Sequence, residues 1–343
     1  MSEMHTVFDD PSTHPQRIAR EGVDEAHLSL RPRSFDQYPG QERVVDNLKI
    51  YTQAAKMRGR MLDHCLFHGP PGLGKTTLAG IIAAVMDYEL VTTSGPNIER
   101  PRDLMGILVG LEANTLLFID EIHRLPAPVE EVLYSAMEDR SLDLVVGDGH
   151  SARTVKFDLK SFTLVGATTR AGSLSLPLRE RFGIVEHLEY YSEDSLAIII
   201  QRSANILGTD IEPLGALTLA QRSRGTPRVA NVLLRRVMDF ALVAGQKNID
   251  AKIVASALLR LGVDDAGLSP KDRLFLAIMR DRHDGGPVGL EAVAAAMGEE
   301  RQTLEDVYEP YLVHKGFIIR TLRGRQLSAM AHEHLKKFGD LGT

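Results

Sequence analysis

The chain has 343 residues, 43% of them hydrophobic, and a formal charge of −6. That length predicts two or three domains with real cores, and the acid excess excludes nucleic-acid binding through overall charge, leaving only a local basic patch for that role. A single cysteine, Cys65, excludes an intramolecular disulfide and fits a reducing compartment, and no apolar run approaches the length of a membrane span.

Residues 1–26 are polar, contain Pro11 and Pro15 and lack a signal-peptide core, so they read as a flexible arm of a cytoplasmic protein. Residues 41–58 follow as an amphipathic helix with Val44, Leu48, Tyr51 and Ala55 at helical spacing. Short apolar segments then alternate with helical ones to about residue 190. This alternation predicts an α/β fold, a parallel sheet with helices on its faces. Cys65 lies in the first apolar run and is expected as a buried thiol.

That run ends at Gly69-Pro70-Pro71-Gly72-Leu73-Gly74-Lys75-Thr76, the pattern G-x-x-x-x-G-K-[ST]. Glycines let backbone N–H groups turn inward around phosphate oxygens, because no Cβ blocks the approach. Lys75 would neutralise β/γ-phosphate charge and the Thr76 hydroxyl would ligate Mg²⁺. An apolar helix from Thr77 to Met86 aims its N-terminus at the same place.

Leu116–Ile119 is an apolar strand ending in Asp120-Glu121. Such a strand delivers acids to the carboxyl edge of a parallel sheet, where ligands bind. Asp120 would hold Mg²⁺ and Glu121 would polarise the attacking water. Residues 142–159 read as a β-hairpin with Gly147-Asp148-Gly149-His150 at its tip, either packed in the core or docking a partner. Phe162–Ala167 is another strand, ending in Thr168-Thr169, whose hydroxyls could sense a γ-phosphate or cap a turn. Arg179 and Arg181 precede the turn at Gly183; they are a solvated cluster or a source of charge for a neighbouring subunit's phosphate.

From 192 to 262 no strand pattern is visible. Leu196, Ile199, Ile200, Ala204 and Ile206, then Val229, Val232, Leu233, Val237 and Phe240, mark successive helices. Thr226 and Pro227 cap one of them. Arg228 in its first turn opposes the helix dipole and calls for an anion, a phosphate or a surface carboxylate. After a linker at 261–270, two helices across Gly298 and a hairpin turning at Arg323-Gly324 predict a winged helix. Lys315, Arg320, Arg323 and Arg325 make its wing basic, and Arg301 starts the second helix; duplex DNA or plain solvation would suit them.

Together these motifs resemble an AAA+ ATPase, and more closely the RuvB family of Holliday-junction branch-migration motors. The likeness rests on His68–Thr77, Phe118–Leu125, Gly166–Gly172, Arg181–Gly183, Gly225–Arg228, Gly285–Leu290 and Glu309–Leu312, and covers roughly residues 27 to 335. It implies a large P-loop ATPase domain over 1–191, a helical lid over 192–262 and a DNA-contacting winged helix over 263–343. It implies a homohexamer that uses ATP and Mg²⁺ to pump duplex DNA through four-way junctions, with RuvA docked on the 142–159 hairpin and RuvC resolving the product. By the same resemblance Gly72, Leu73, Gly74, Lys75, Thr76 and Thr77 bind the nucleotide, Leu30, Arg31 and Tyr191 frame its adenine, and Glu138, Asp139 and Arg140 join the nucleotide set. Thr169 matches the first sensor, Arg228 the second and Arg181 the arginine finger. Arg301, Arg320 and Arg325 match DNA-contacting positions. Leu322 departs from a proline common in the wing. A clamp-loader-like ATPase and a non-catalytic nucleotide-gated regulator are the rival readings; the winged helix argues against the first and Glu121 against the second.

Overall fold

The computed structural model describes residues 30–146 and 153–338. The proposed arm at 1–26 and the hairpin tip at 147–150 lie outside them. Five strands form one parallel sheet: β1 (Cys65–His68), β2 (Glu89–Ser94), β3 (Thr115–Asp120), β6 (Phe162–Thr168) and β7 (Ile184–His187), in spatial order β2-β3-β6-β1-β7. Two further strands, β4 (Ser141–Val146) and β5 (Arg153–Asp158), make a separate antiparallel hairpin inserted between β3 and β6.

Period-two alternation splits the sheet residues between two cores. Cys65, Phe67, Leu116 and Phe118 face one side, with helices α1 (Glu42–Arg58) and α2 (Lys75–Met86). Leu66, Leu117, Ile119 and Leu164 face the other, under α3 (Pro101–Val109) and α4 (Ala127–Glu138). Cys65 is fully buried, and that burial pushes its thiol pKa up, so it behaves as an inert core residue. In α1 the expected stripe holds at Val44, Leu48 and Ala55, but Tyr51 is exposed and Thr52 is buried in its place. Thr52 can enter the core because its hydroxyl donates to the Leu48 carbonyl at 2.7 Å.

A short helix α5 (Leu176–Glu180) precedes β7. Four helices follow: α6 (Glu193–Ile206), α7 (Pro213–Gln221), α8 (Pro227–Val243) and α9 (Ala251–Arg260). The strand-free expectation for this region fails in one detail: β8 (Asp210–Ile211) and β9 (Asn248–Ile249) pair in parallel, each too short to leave a pattern. The buried stripe of α8 is Ala230, Leu233, Leu234, Val237 and Ala241, so expected positions Val232 and Phe240 sit at its margin. Leu196, Ile200, Leu219, Leu233 and Val254 belong to the same continuous core as α1 and α2. The lid is therefore packed into the large domain rather than strung beside it.

The C-terminal part has its own core, built on Phe275, Leu276, Val293, Leu312 and Phe317. Its helices are α10 (Pro270–His283), α11 (Leu290–Met297), α12 (Arg301–Thr303), α13 (Glu309–His314) and α14 (Ala329–Lys336), with wing strands β10 (Ile318–Thr321) and β11 (Gly324–Leu327). The expected second helix is one helical run with a π-turn at Leu304–Tyr308 between α12 and α13. The turn closes where the Glu309 N–H reaches the Leu304 carbonyl, five residues back, and Pro310, which has no N–H to donate, follows directly.

Candidate functional site

The loop between β1 and α2 is folded as a cradle. Gly69, Gly72 and Gly74 all have positive φ, at 141°, 81° and 98°. Side chains there would also collide: a Cβ on Gly69 would lie 2.3 Å from the Leu188 carbonyl oxygen, and one on Gly74 2.6 Å from the Tyr38 hydroxyl. The glycines are required by both backbone and neighbours. Tyr38 donates its hydroxyl to the Leu73 carbonyl at 3.0 Å, and the Tyr191 hydroxyl lies 2.8 Å from that of Tyr38. These two tyrosines fix the back of the loop through buried, fully partnered polar atoms. Leu30 is buried and its carbonyl accepts from Arg202 of α6 at 2.9 Å, while Arg31 is exposed. Tyr191 thus meets the loop directly; Leu30 and Arg31 lead into it from the chain before α1.

Lys75 is buried and its Nζ donates to the Gly69 and Pro70 carbonyls, both at 2.9 Å. Burial lowers its pKa to about 8, against the opposing pull of Asp120 and Glu121, with Arg228 adding to the fall. Thr76 and Thr77 follow in the first turn of α2, half-buried. Arg228 closes the loop from the lid side. Its backbone N–H approaches the Gly72 carbonyl at 3.4 Å, and a Cβ on Gly72 would lie 3.0 Å from the Arg228 Cβ.

Partial neutrality of Lys75 has a measurable consequence. Phosphate oxygens placed beside it would favour the charged form and raise its pKa, so nucleotide binding takes up a proton. Near pH 8 the uptake should be roughly half a proton per site, falling towards zero below about pH 7. Above pH 8 affinity should weaken, because the group must first be protonated. Calorimetry of a non-hydrolysable ATP analogue in two buffers of different ionisation heat measures this. Identical heats at pH 8 would show that Lys75 is already fully charged.

Strand register brings the remaining residues to the same edge. His68 pairs with Thr168 and Ser94 with Asp120 across neighbouring strands. Asp120 Oδ1 accepts the Glu121 N–H at 3.0 Å. Glu121 has φ of 49°, an unusual conformation for a residue with a Cβ, and one that the closely packed Gly95 permits, since a Cβ there would lie 2.4 Å from the Glu121 carbonyl oxygen. The structure separates the two threonines. Thr168 is fully buried, lies 2.9 Å from His123 Nδ1 and accepts the Arg170 N–H at 2.9 Å. Thr169 donates to Glu121 Oε2 at 3.3 Å. His123 Nδ1 is also 3.3 Å from Glu121 Oε2. His123 Nδ1 thus lies within reach of both the Thr168 hydroxyl and the Glu121 carboxylate. Burial lowers the His123 pKa, and the Glu121 charge opposes that fall. His123 and Tyr38 were not anticipated from sequence; only the chain reversal that stacks them on Glu121 and Leu73 makes them visible.

Arg181 lies elsewhere. It ion-pairs with Glu138 at 2.9 Å, donates to the Pro177 carbonyl at 2.8 Å and sits over the Tyr134 ring at 4.6 Å. Glu138, the last residue of α4, is therefore beside Arg181; Asp139 and Arg140 follow it, and among the described residues no hydrogen bond or ion pair of these three reaches the phosphate loop. Arg179, two residues earlier in α5, is exposed and close enough to His68 for its charge to help lower that imidazole's pKa, after burial and His187. The two arginines point to different places.

In the wing, Arg320 and Arg325 both grip Glu309 with paired hydrogen bonds of 2.7–3.2 Å. Burial alone would raise the Glu309 carboxyl, but the bonds from Arg325 and Arg320 overturn that and hold it below the ordinary carboxylate range. Arg320 remains 55% exposed against 22% for Arg325, so Arg320 is the freer of the two to meet a phosphate. Arg301 is exposed and pairs with Glu291 at 2.9 Å. Leu322 is fully exposed at the hairpin tip.

Known proteins match this arrangement along the chain. Family models described as the Holliday junction DNA helicase RuvB P-loop domain, the RuvB AAA lid domain and the RuvB C-terminal winged helix domain match residues 30–188, 191–264 and 265–336. A Holliday junction branch migration complex subunit RuvB from Ligilactobacillus salivarius is 57% identical over 315 residues, covering 92% of this chain and 94% of the relative. The RuvB Holliday junction branch migration motor of Thermotoga maritima superposes with a TM-score of 0.82 at 47% identity, over 90% of this chain and 98% of its own. A single-substitution mutant of that protein superposes with a TM-score of 0.83 at 48% identity over the same shares. With an AAA+ sheet, lid and winged helix that each match in turn, the chain belongs to the RuvB family.

Proposed function

We propose that this chain is the ATP-hydrolysing motor subunit of a Holliday junction branch migration complex, acting as a hexameric ring that pumps duplex DNA in recombination and repair in the cytoplasm. The observation that carries the reading is a divided site. Gly72–Thr77, Asp120, Glu121, Thr169 and Arg228 converge on one sheet edge, while Arg181 is held by Glu138 and Tyr134 away from it. A site with its loop and its arginine apart is completed by a second copy of the chain.

Positive-φ glycines at the start of a twelve-residue helix fit a triphosphate, and among the described residues the hydrogen bonds of Lys75 go to carbonyls, where phosphate oxygens would serve better. Mg²⁺ is usually kept by phosphates with one or two protein oxygens, which Thr76 and Asp120 would supply. ATP bound there brings the phosphoanhydride bond and, with Mg²⁺, the charge that the residues around it must manage. Glu121 orients and polarises the attacking water; Thr169 and His123 hold its carboxylate in place. Arg181 of the neighbouring copy offsets charge at the γ-phosphate. Arg228 links the loop to α8, so the lid turns with the state of the site. In this reading the units are 1–191, 192–262 and 263–343. Exposed Val155 and Phe157 on β5 support the hairpin as the RuvA-docking element, with RuvC joining the same complex. Arg301, Arg320 and Arg325 contact DNA.

Lys75→Ala tests the reading. On a synthetic four-way junction with RuvA present, branch migration should vanish and ATP turnover should fall by about 10³-fold or more. Migration at the unsubstituted rate would sink the proposal.

A further inference from the structure

Two of the contacts between the C-terminal module and the large domain use residues that sit next in sequence to the nucleotide site. Arg170 follows Thr169. Its guanidinium lies 2.6 Å from Asp306 Oδ1 and 3.6 Å from Glu305 Oε2. Tyr190 precedes Tyr191, and its ring lies 4.0 Å, centroid to centroid, from that of His314. One contact adjoins the γ-phosphate end of the site and the other adjoins the residue behind Leu73.

Glu305 and Asp306 lie on the π-turn in the second helix of the winged helix. Acids there would repel a phosphate backbone if turned to DNA. Here they are turned to the ATPase domain. π-turns concentrate at functional positions because they redirect a helix face locally. The residue gripping them is itself anchored: the Arg170 N–H donates to Thr168 Oγ1, and Thr168 contacts His123, which faces Glu121. Arg170 is one-third exposed and Asp306 somewhat more so. A pair so exposed adds little as a staple and opens readily, which suits a moving contact better than a fixed one.

We propose that Arg170 is a positioning residue that couples the nucleotide site to the DNA-binding module by gripping Asp306 and Glu305 on the π-turn. Displacement of Glu121 and Thr169 moves the Arg170 backbone, and the ion pair carries that movement to the second helix. The proposal rests on the functional reading above and adds the route by which hydrolysis reaches DNA.

The test measures ATP hydrolysed per base pair migrated, using the full chain, RuvA and a synthetic four-way junction. Asp306→Arg should leave ATP turnover without DNA within about twofold, because no loop residue changes, and should raise ATP hydrolysed per base pair at least about fivefold. Asp306→Asn, which keeps the shape, should shift the ratio the same way by a smaller factor. Pairing Asp306→Arg with Arg170→Asp should bring the ratio back to within about twofold of the original. An unchanged ratio in both Asp306 variants would overturn the proposal, and so would a charge swap with no recovery. Failure of the unsubstituted chain to migrate the junction would be a different result, overturning the functional reading itself.

Discussion

Arg181→Ala should lower ATP turnover by about 10³-fold or more while leaving nucleotide affinity within a few-fold. The affinity is spared because the polar partners of Arg181 in its own chain are Glu138 and the Pro177 carbonyl, and among the described residues none of its contacts reaches the phosphate loop, Tyr191 or Arg228. In the proposed shared site, turnover depends on charge arriving at the γ-phosphate from a neighbouring copy. Within its own chain Arg181 has a cation–π partner in Tyr134 and an ion pair with Glu138. These neighbours pre-position the side chain, so little conformational freedom is lost when a second subunit presents its loop. Steady-state hydrolysis and fluorescent-nucleotide titration on the same preparation separate the two quantities. Turnover within threefold of the original would mean that the site is complete within one chain.

The second large effect is expected at Glu121. Glu121→Gln keeps the volume and an oxygen for the Thr169 hydroxyl, but it removes the negative charge that the proposed mechanism uses to polarise water. Hydrolysis should fall by about 10²–10⁴-fold. ATP binding should persist, so the variant should accumulate the ATP-bound form. Rapid quench after one turnover would show little ADP, and a filter assay would show retained ATP. Normal single-turnover chemistry would move the base to another residue. His123 is then the nearest candidate, at 3.3 Å from the same carboxylate.

Local chemistry made the phosphate loop legible. Four fixed positions determine its shape, and the glycines do what their lack of Cβ requires. The acidic strand and the winged-helix order were legible for the same reason, since strand ends and helix turns are written in short windows. Side-chain partnerships over long sequence distances were not. Thr168 and Thr169 look alike until β6 is placed beside β1 and the chain turns His123 onto one of them. Arg320 and Arg325 read as free cations because Glu309, more than ten residues earlier, gives no sign that it is buried between them. Pro310 directly follows the π-turn, but a proline in a helix pattern reads equally as a kink. The α8 stripe is legible at Leu233 and Val237 but not at its margins, because exposed Val232 and half-buried Phe240 imitate the apolar periodicity of the true face.

The most direct test of a site shared between subunits is to mix Lys75→Ala with Arg181→Ala and measure ATP hydrolysis on a four-way junction. Each variant alone should be nearly inactive, one without its loop lysine and the other without its arginine. In a ring of mixed subunits, an Arg181→Ala copy can present an intact loop to the intact arginine of a Lys75→Ala copy. At equal amounts about a quarter of the interfaces should then be complete, and turnover should recover towards that fraction of the original. A mixture no more active than the two variants measured separately would contradict the account.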